Sequence, residues 1–487
     1  MKQKMLLFSF VLILLLSGCN FPQQLVVPAD INFATAIPYV PTVSPTEIVQ
    51  NTQAIITEDQ TLIPHPTTYT LLVDYDYETH QLKVIEDVNY LNENEDALEN
   101  ITFVVPMNHQ TGVFTLSSVS VGTLEVEQQV DLQGVQFQVD LFEPLQPQTN
   151  LQIHIEYEIK LPEERGVLGY TDRQINVCDW YVFIPPYQPD SGWMVNEYHD
   201  VGEYLVYDIA DFDVTIQLQN APEDLILVGS IPGTQNGNSW EFAAENLRTF
   251  VWTGSTKYLQ LQKPENTNVS AYVFPEDEEA GWMALSTTIS AWNLYSAVYG
   301  IPPQEQLYLI EADFYDGMEY DGLFYLGFDY FESYRGGEKN YLTAIAAHET
   351  AHQWWFAAVG NDAAKEPWLD ESLAIYSELI FYETYYSGNE NWWWNFRVDS
   401  FDPDGAVNST IYLYDTWRPY INAIYLQGAR MIQDIRTAMG DEAFFLFLQE
   451  YYRAGSGKIM TRQDFFNLAA QFSDADFQPI MEAYFSE

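Results

Sequence analysis

Residues 341–359 read YLTAIAAHETAHQWWFAAV, with His348-Glu349-Thr350-Ala351-His352 at the centre. The apolar residues around that core predict a helix from Tyr341 to Val359. Residues four apart on a helix lie one turn above another on the same face. His348 and His352 can therefore bind one zinc ion, with Glu349 beside the open corner of the site. A catalytic zinc with one open corner needs a third protein ligand. Glu371 is the candidate, nineteen positions after His352 in Trp368-Leu369-Asp370-Glu371. It lies on the next expected helix, with Pro367 in that helix's first turn. The competing explanation is two core-facing histidines placed by chance. Of the 7 histidines in the chain, only these two lie beyond residue 262, which argues against chance.

On either side of this segment the pattern changes. Downstream it stays helical: Gly440 stands where a helix C-cap belongs, and Thr461-Arg462-Gln463-Asp464 has the form of a capping box. Upstream, short strands are expected at Gln306–Ala312 and Leu323–Phe328. Earlier still the period is two. Ile153, Ile155, Tyr157 and Ile159 alternate with His154, Glu156 and Glu158, and Phe212, Val214, Ile216 and Leu218 repeat the pattern. Alternation of this kind places one face in a core and the other in water. The chain is therefore expected to be multidomain. An antiparallel β-sandwich domain is expected over residues 67–262, and an α+β, largely helical domain over 263–487.

The first residues read differently again. Lys2 and Lys4 precede an apolar run from Met5 to Leu16, too short to span a bilayer, which takes ~20 residues. That run has the form of a secretory signal, expected over residues 1–18. Leu16-Ser17-Gly18-Cys19 resembles the bacterial lipobox, in which the cysteine is lipidated after cleavage; an ordinary signal with an incidental cysteine is the alternative. Residues 19–66 are rich in Pro and Thr and are expected to form an extended tether. The expected location is thus extracytoplasmic, with the membrane engaged only through the lipid on Cys19. The whole chain has 487 residues with 70 acidic and 19 basic side chains, a net charge of −51, and 16% aromatics. The aromatic content excludes a wholly disordered acidic chain. The charge argues against nucleic acid as a partner, since phosphate binding needs cations. With only Cys19 and Cys178, a disulfide scaffold is excluded, and Cys178 is expected to be a buried thiol.

The zinc motif is part of a larger pattern. The longer metzincin motif is absent, because Trp355 and Ala358 stand where it needs Gly and His. HExxH followed by the Glu371 segment resembles the gluzincin aminopeptidases of the aminopeptidase N family. Asp316-Gly317-Met318-Glu319-Tyr320-Asp321-Gly322-Leu323 is similar to that family's Gly-x-Met-Glu-Asn-x-Gly-Leu strand. Tyr425-Leu426-Gln427-Gly428-Ala429 is similar to its Tyr-x-Lys-Gly-Ala helix start. The resemblance implies a thermolysin-like zinc peptidase domain and one Zn2+ held by His348, His352 and Glu371. It implies that Glu349 moves the proton of the attacking water, and that Tyr425 hydrogen-bonds the developing oxyanion. It also implies that Glu319 binds the substrate's α-amine, with Met318 against the first side chain. The backbone at Gly317 would pair with the peptide. Glu378, seven residues after Glu371 and on the same helix face, is a candidate to orient a ligand or else an exposed charge.

The match has departures. Asp316 replaces a Gly, Tyr320 an Asn, Ser372 a Gly after the third ligand, and Gln427 a Lys. The acid or amide that the family supplies from its first domain has no evident counterpart, although Asn176 to Glu203 occupies that neighbourhood. The chain ends soon after the zinc domain, so a more open cleft is expected. The implied activity is an aminopeptidase acting on peptides. A zinc endopeptidase and a catalytically silent peptide-binding surface lipoprotein are the alternatives.

Overall fold

The computed structural model describes residues 67–486, apart from 123 and 127–129. The expected signal, lipobox cysteine and tether fall on residues outside those described. Among those described, no helix is long and apolar enough to cross a membrane.

The first part is built on an eight-stranded sheet. Its centre is Thr68–Asp76, Gln81–Leu91 and Asn150–Lys160, with Ala210–Gln219 on the other side of Thr68–Asp76. The alternating residues do what their period requires. Leu71, Val73, Val84, Ile155, Tyr157, Val214 and Ile216 all turn to one face and are buried. Smaller sheets cover that face: the pair Leu98–Val104 with Gln136–Leu145, and a four-stranded sheet that includes Ile175–Val177 and Trp252–Ser255. Phe103, Phe137, Val177 and Trp252 complete the shared core. Each such side chain contributes roughly 1.5–3 kcal/mol by leaving water, so a charge at Ile155 would break the layer.

One pairing departs from the antiparallel expectation. Thr68–Asp76 runs parallel to Ala210–Gln219, with Leu71 opposite Val214 and Val73 opposite Ile216. Alternation reports which face is buried and is blind to strand direction. Strands this far apart in sequence can pair in either sense, because no short hairpin turn constrains them.

The second part starts with a five-stranded mixed sheet, in the order Leu259–Lys263, Asn266–Val273, Leu307–Ala312, Leu323–Gly327, Gly317–Tyr320. The boundary expected between residues 262 and 263 falls inside its first strand. Gly317–Tyr320 lies at the edge. Helix α1 (Glu278–Val298) covers the sheet, followed by α2 (Tyr341–Ala351), α3 (Trp368–Tyr385) and α4 (Gln427–Met439). Asn340 caps α2, its side chain accepting from the Thr343 amide at 2.9 Å. Such a cap is worth ~1 kcal/mol. Gly440 ends α4 at φ 78°, and Thr461 with Asp464 forms the expected capping box.

Helix α2 is shorter than its apolar pattern predicts. It stops at Ala351, with His352 still in the helical region as its C-cap (φ −65°, ψ −10°). Trp354 to Val359 then fold back as a buried turn in which the Ala357 amide donates to the His352 carbonyl. A distant side chain holds this turn. Arg248, itself buried, donates to the carbonyls of Ala357 and Ala358 and to that of Tyr207. The buried turn is as apolar as a buried helix, so hydrophobic pattern could not separate the two.

Candidate active site

His348 and His352 remain one turn apart on α2, and Glu371 enters from the first turn of α3. All three are buried. His348 Nδ1–H donates to Glu378 Oε1 at 3.1 Å, and His352 Nδ1–H donates to the Trp355 carbonyl at 2.9 Å. With both Nδ1 atoms engaged, the two Nε2 lone pairs are turned toward each other, 3.2 Å apart. Glu371 Oε2 is 3.3 Å from His348 Nε2 and 3.6 Å from His352 Nε2. Zinc bonds of about 2.0–2.1 Å at tetrahedral angles separate donor atoms by roughly 3.3–3.4 Å, so this triangle has the right edges. Two facing lone pairs and a carboxylate also need a cation between them. Glu319, Glu349 and His352 form a second close group. The Trp355 carbonyl already holds His352 Nδ1, which commits the ring's other nitrogen to the first group.

The charges agree. Burial works against a charged His348, but Glu371 and Glu378 outweigh it and lift its pKa to about 9. Burial likewise opposes ionised Glu371, yet His348 and His352 hold it down at about 2. A divalent cation satisfies the same carboxylate and displaces the protons from the rings. Glu319 Oε1, Glu349 Oε2 and Glu371 Oε2 are buried without a hydrogen-bond partner, so the protein leaves three carboxylate oxygens around one small space.

Glu378 is no exposed charge. It is fully buried and receives Arg397 through two hydrogen bonds of 2.7 Å, Trp393 Nε1 at 3.0 Å, and His348. Burial would raise its carboxyl, but Arg397 holds it below the usual range. The clamp fixes the ring orientation of His348. Trp393, one of three consecutive tryptophans, thus contributes an N–H as well as packing.

The strand Gly317–Tyr320 passes directly over α2. A Cβ on Gly317 would lie 2.0 Å from Glu349 Oε1, so the bare glycine is what lets that carboxylate sit there. Glu319 is buried, with Oε1 3.6 Å from His352 Nδ1, and Met318 is half-buried beside it. Gln353 locks strand to helix, donating to the Tyr320 carbonyl and accepting from the Gly322 amide. Tyr320 reaches the first part of the chain, its hydroxyl donating to Asp179 Oδ2 at 3.1 Å. Asp316 adopts φ 73°, a left-handed conformation where the related motif has glycine. The Tyr425 hydroxyl donates to Glu371 Oε1, and the ring stacks on His348 with centroids 5.9 Å apart. Tyr420 is buried against Tyr425.

Sequence reasoning missed Glu203. Burial, then Glu319, Glu371 and Asp370, push its carboxyl well above the usual range. Glu203 is half-buried and close enough to feel the charges of Glu319, Glu371 and Asp370. Its neighbour Gly202, at φ 76°, gives the reason it fits: a Cβ there would lie 2.5 Å from Ile411 and 3.1 Å from Tyr420. A glycine followed by an acid is common, and nothing local in Gly202-Glu203-Tyr204 marks it. Cys178, as expected, is a buried free thiol, 3.4 Å from the Tyr325 hydroxyl.

A buried HExxH helix with a glutamate from the following helix defines the class: a gluzincin-type metallopeptidase fold. Residues 289–484 match the model of the peptidase family M1 domain. The chain is 23% identical over 251 residues to aminopeptidase M1-D of Oryza sativa subsp. japonica, covering 48% of this chain and 28% of that protein. It is 24% identical over 172 residues to aminopeptidase N of Lactococcus lactis subsp. lactis, covering 32% and 20%. The chain thus spans less than a third of the length of these curated relatives. An M1 zinc metallopeptidase from Deinococcus radiodurans has the same fold, with a TM-score of 0.58 at 17% identity over 86% of this chain and 93% of that one. A mutant of that enzyme superposes with a TM-score of 0.57 at 16% identity, with the same coverage.

Proposed function

We propose that the protein is a zinc aminopeptidase that releases N-terminal residues from peptides. The observation that carries this reading is Glu319, a buried carboxylate on the edge strand whose Oε1 lies 3.6 Å from His352, beside the His348–His352–Glu371 triangle. His348, His352 and Glu371 would hold one Zn2+, which would supply Lewis-acid polarisation of the scissile carbonyl and a lowered pKa for the attacking water. Glu349, with one buried oxygen free of partners, takes the proton of that water and returns it to the leaving amine. Tyr425 turns its hydroxyl from Glu371 to the carbonyl oxygen as negative charge develops there. One such donor is typically worth about 2.7–4 kcal/mol of barrier. Glu319 and Glu203 hold the substrate ammonium and so set the count from the N-terminus. The edge strand at Gly317 pairs with the peptide backbone, and Met318 meets the first side chain.

The mature protein tests this with matched peptides bearing free and acetylated N-termini. Cleavage of the free peptide alone is expected. Equal cleavage of both would mean an endopeptidase. No cleavage of either, together with no stoichiometric zinc, would mean a peptide-binding protein. The sequence around Cys19 further supports a lipid-anchored, extracytoplasmic protein on a tether. Cys19→Ala in the full chain should move it from the detergent phase to the aqueous phase, and an unchanged partition would remove that reading.

A further inference from the structure

Tyr425 does not lie in an ordinary helical turn. Asn422–Leu426 form a π-helical turn between the short helix Trp417–Ile421 and α4. Such a turn adds a residue to the hydrogen-bonded ring, disturbs the regular backbone pairing around it, and recurs at functional sites. A side chain takes up the carbonyl of Ile424, the residue just before Tyr425. Ser372 Oγ–H donates to it at 2.8 Å.

The arrangement is tightly built. Ser372 is fully buried and adjoins Glu371 on α3. A Cβ on Gly428 would lie 1.9 Å from Ser372 Oγ, so the glycine at 428 makes room for the hydroxyl. Consecutive residues of α3 therefore hold consecutive residues of the turn: Ser372 holds the Ile424 backbone, and Glu371 accepts the Tyr425 hydroxyl. Glycine stands at this position in the related motif, so this hydroxyl bond belongs to the present chain.

We propose that Ser372 is a positioning residue for Tyr425. Its hydroxyl pins the π turn and so fixes where the Tyr425 hydroxyl points once that group leaves Glu371 for the substrate oxygen. The inference rests on Tyr425 being the oxyanion donor. A donor that drifts by ~1 Å can lose about a hundredfold in rate, far more than the loss of one neutral hydrogen bond elsewhere in the fold would cause.

The test is a double-mutant cycle on the zinc-loaded protein, with Ser372→Ala, Tyr425→Phe and the double variant assayed on an aminoacyl amide. Ser372→Ala should lower kcat about 10- to 100-fold, with KM and zinc content unchanged. In the Tyr425→Phe background it should cost less than about twofold, because no hydroxyl is left to aim. Ser372→Gly, which restores the residue of the related motif, should behave like Ser372→Ala and guards against a packing artefact. Equal losses in both backgrounds would make Ser372 a structural residue and overturn the proposal. Full activity of Ser372→Ala beside a crippled Tyr425→Phe would overturn the positioning role alone. Full activity of Tyr425→Phe would overturn both it and the donor reading on which it rests.

Discussion

Gly317→Ala is the sharpest probe of the site. Its Cβ would lie 2.0 Å from Glu349 Oε1, 2.6 Å from Cδ and 3.2 Å from Cγ. Ordinary carbon–oxygen contact needs about 3.3 Å, so the carboxylate or the strand must move by more than ~1 Å. The strand has little freedom, because Gln353 ties its far end to α2 through Tyr320 and Gly322. The Glu349 side chain is the part that gives way. Gly317 does not have positive φ, so alanine fits the backbone itself. The cost is then the local overlap with Glu349, on the order of 1–3 kcal/mol for an overpacked buried site. The expected result is therefore a split. The protein stays folded and zinc-loaded with at most a modest fall in melting temperature, while kcat falls roughly 10²- to 10⁴-fold, the range for losing a general base. The assay is steady-state turnover of an aminoacyl amide beside calorimetry and metal analysis. A zinc-loaded Gly317→Ala with wild-type kcat would refute the reasoning, since the base would then tolerate displacement.

Three further outcomes are expected. Arg397→Met leaves Glu378 buried with its main countercharge gone and loosens His348. Chelator competition should show zinc affinity about 10- to 100-fold weaker, and an unchanged affinity would reject the clamp. Glu203→Gln keeps the side-chain shape but removes the carboxyl that could ionise against a bound ammonium in the proposed pocket. KM for peptides with free N-termini should rise roughly 10-fold or more while kcat moves less; an unaltered KM would take Glu203 out of the pocket. Stability should also depend on pH through Glu86, which lies at the first core and accepts from Tyr157 at 2.7 Å. Burial pushes its carboxyl up to about 8, from an ordinary 4.5. Between those values the folded protein holds a proton that the unfolded chain releases. The contribution is thus complete below about pH 4.5 and is lost as pH rises toward 8. From pH 5.5 to 7.5 the loss is about 3 kcal/mol. Denaturant titrations at both pH values should show the Glu86→Gln protein sparing that loss, and identical slopes in the two proteins would contradict it.

The features legible in the amino-acid order are those that repeat over a few residues. The spacing of His348 and His352 places both rings on one helix face wherever that helix packs. The alternation through Ile153–Ile159 and Phe212–Leu218 assigns a buried face to each strand. Thr461 and Asp464 cap a helix through contacts three residues apart. The Met318-Glu319 and Gly322-Leu323 pairs are recognisable because a strand and its turn are local objects. Backbone geometry ties all of these to sequence distance, so they can be read before any packing is known.

What the linear order conceals is set by residues that meet across the fold. The loop that carries Glu203 presses on Ile411 and Tyr420, which only the bare Gly202 allows. Arg248 takes the carbonyls of the turn that follows α2. Arg397 and Trp393 close on Glu378, and Ser372 holds the turn beneath Tyr425. The strand Thr68–Asp76 pairs in parallel with one more than a hundred residues away. Each of these depends on two segments arriving at the same place. Their arrival is a balance of core burial and loop entropy over the whole chain, which no short window of residues contains.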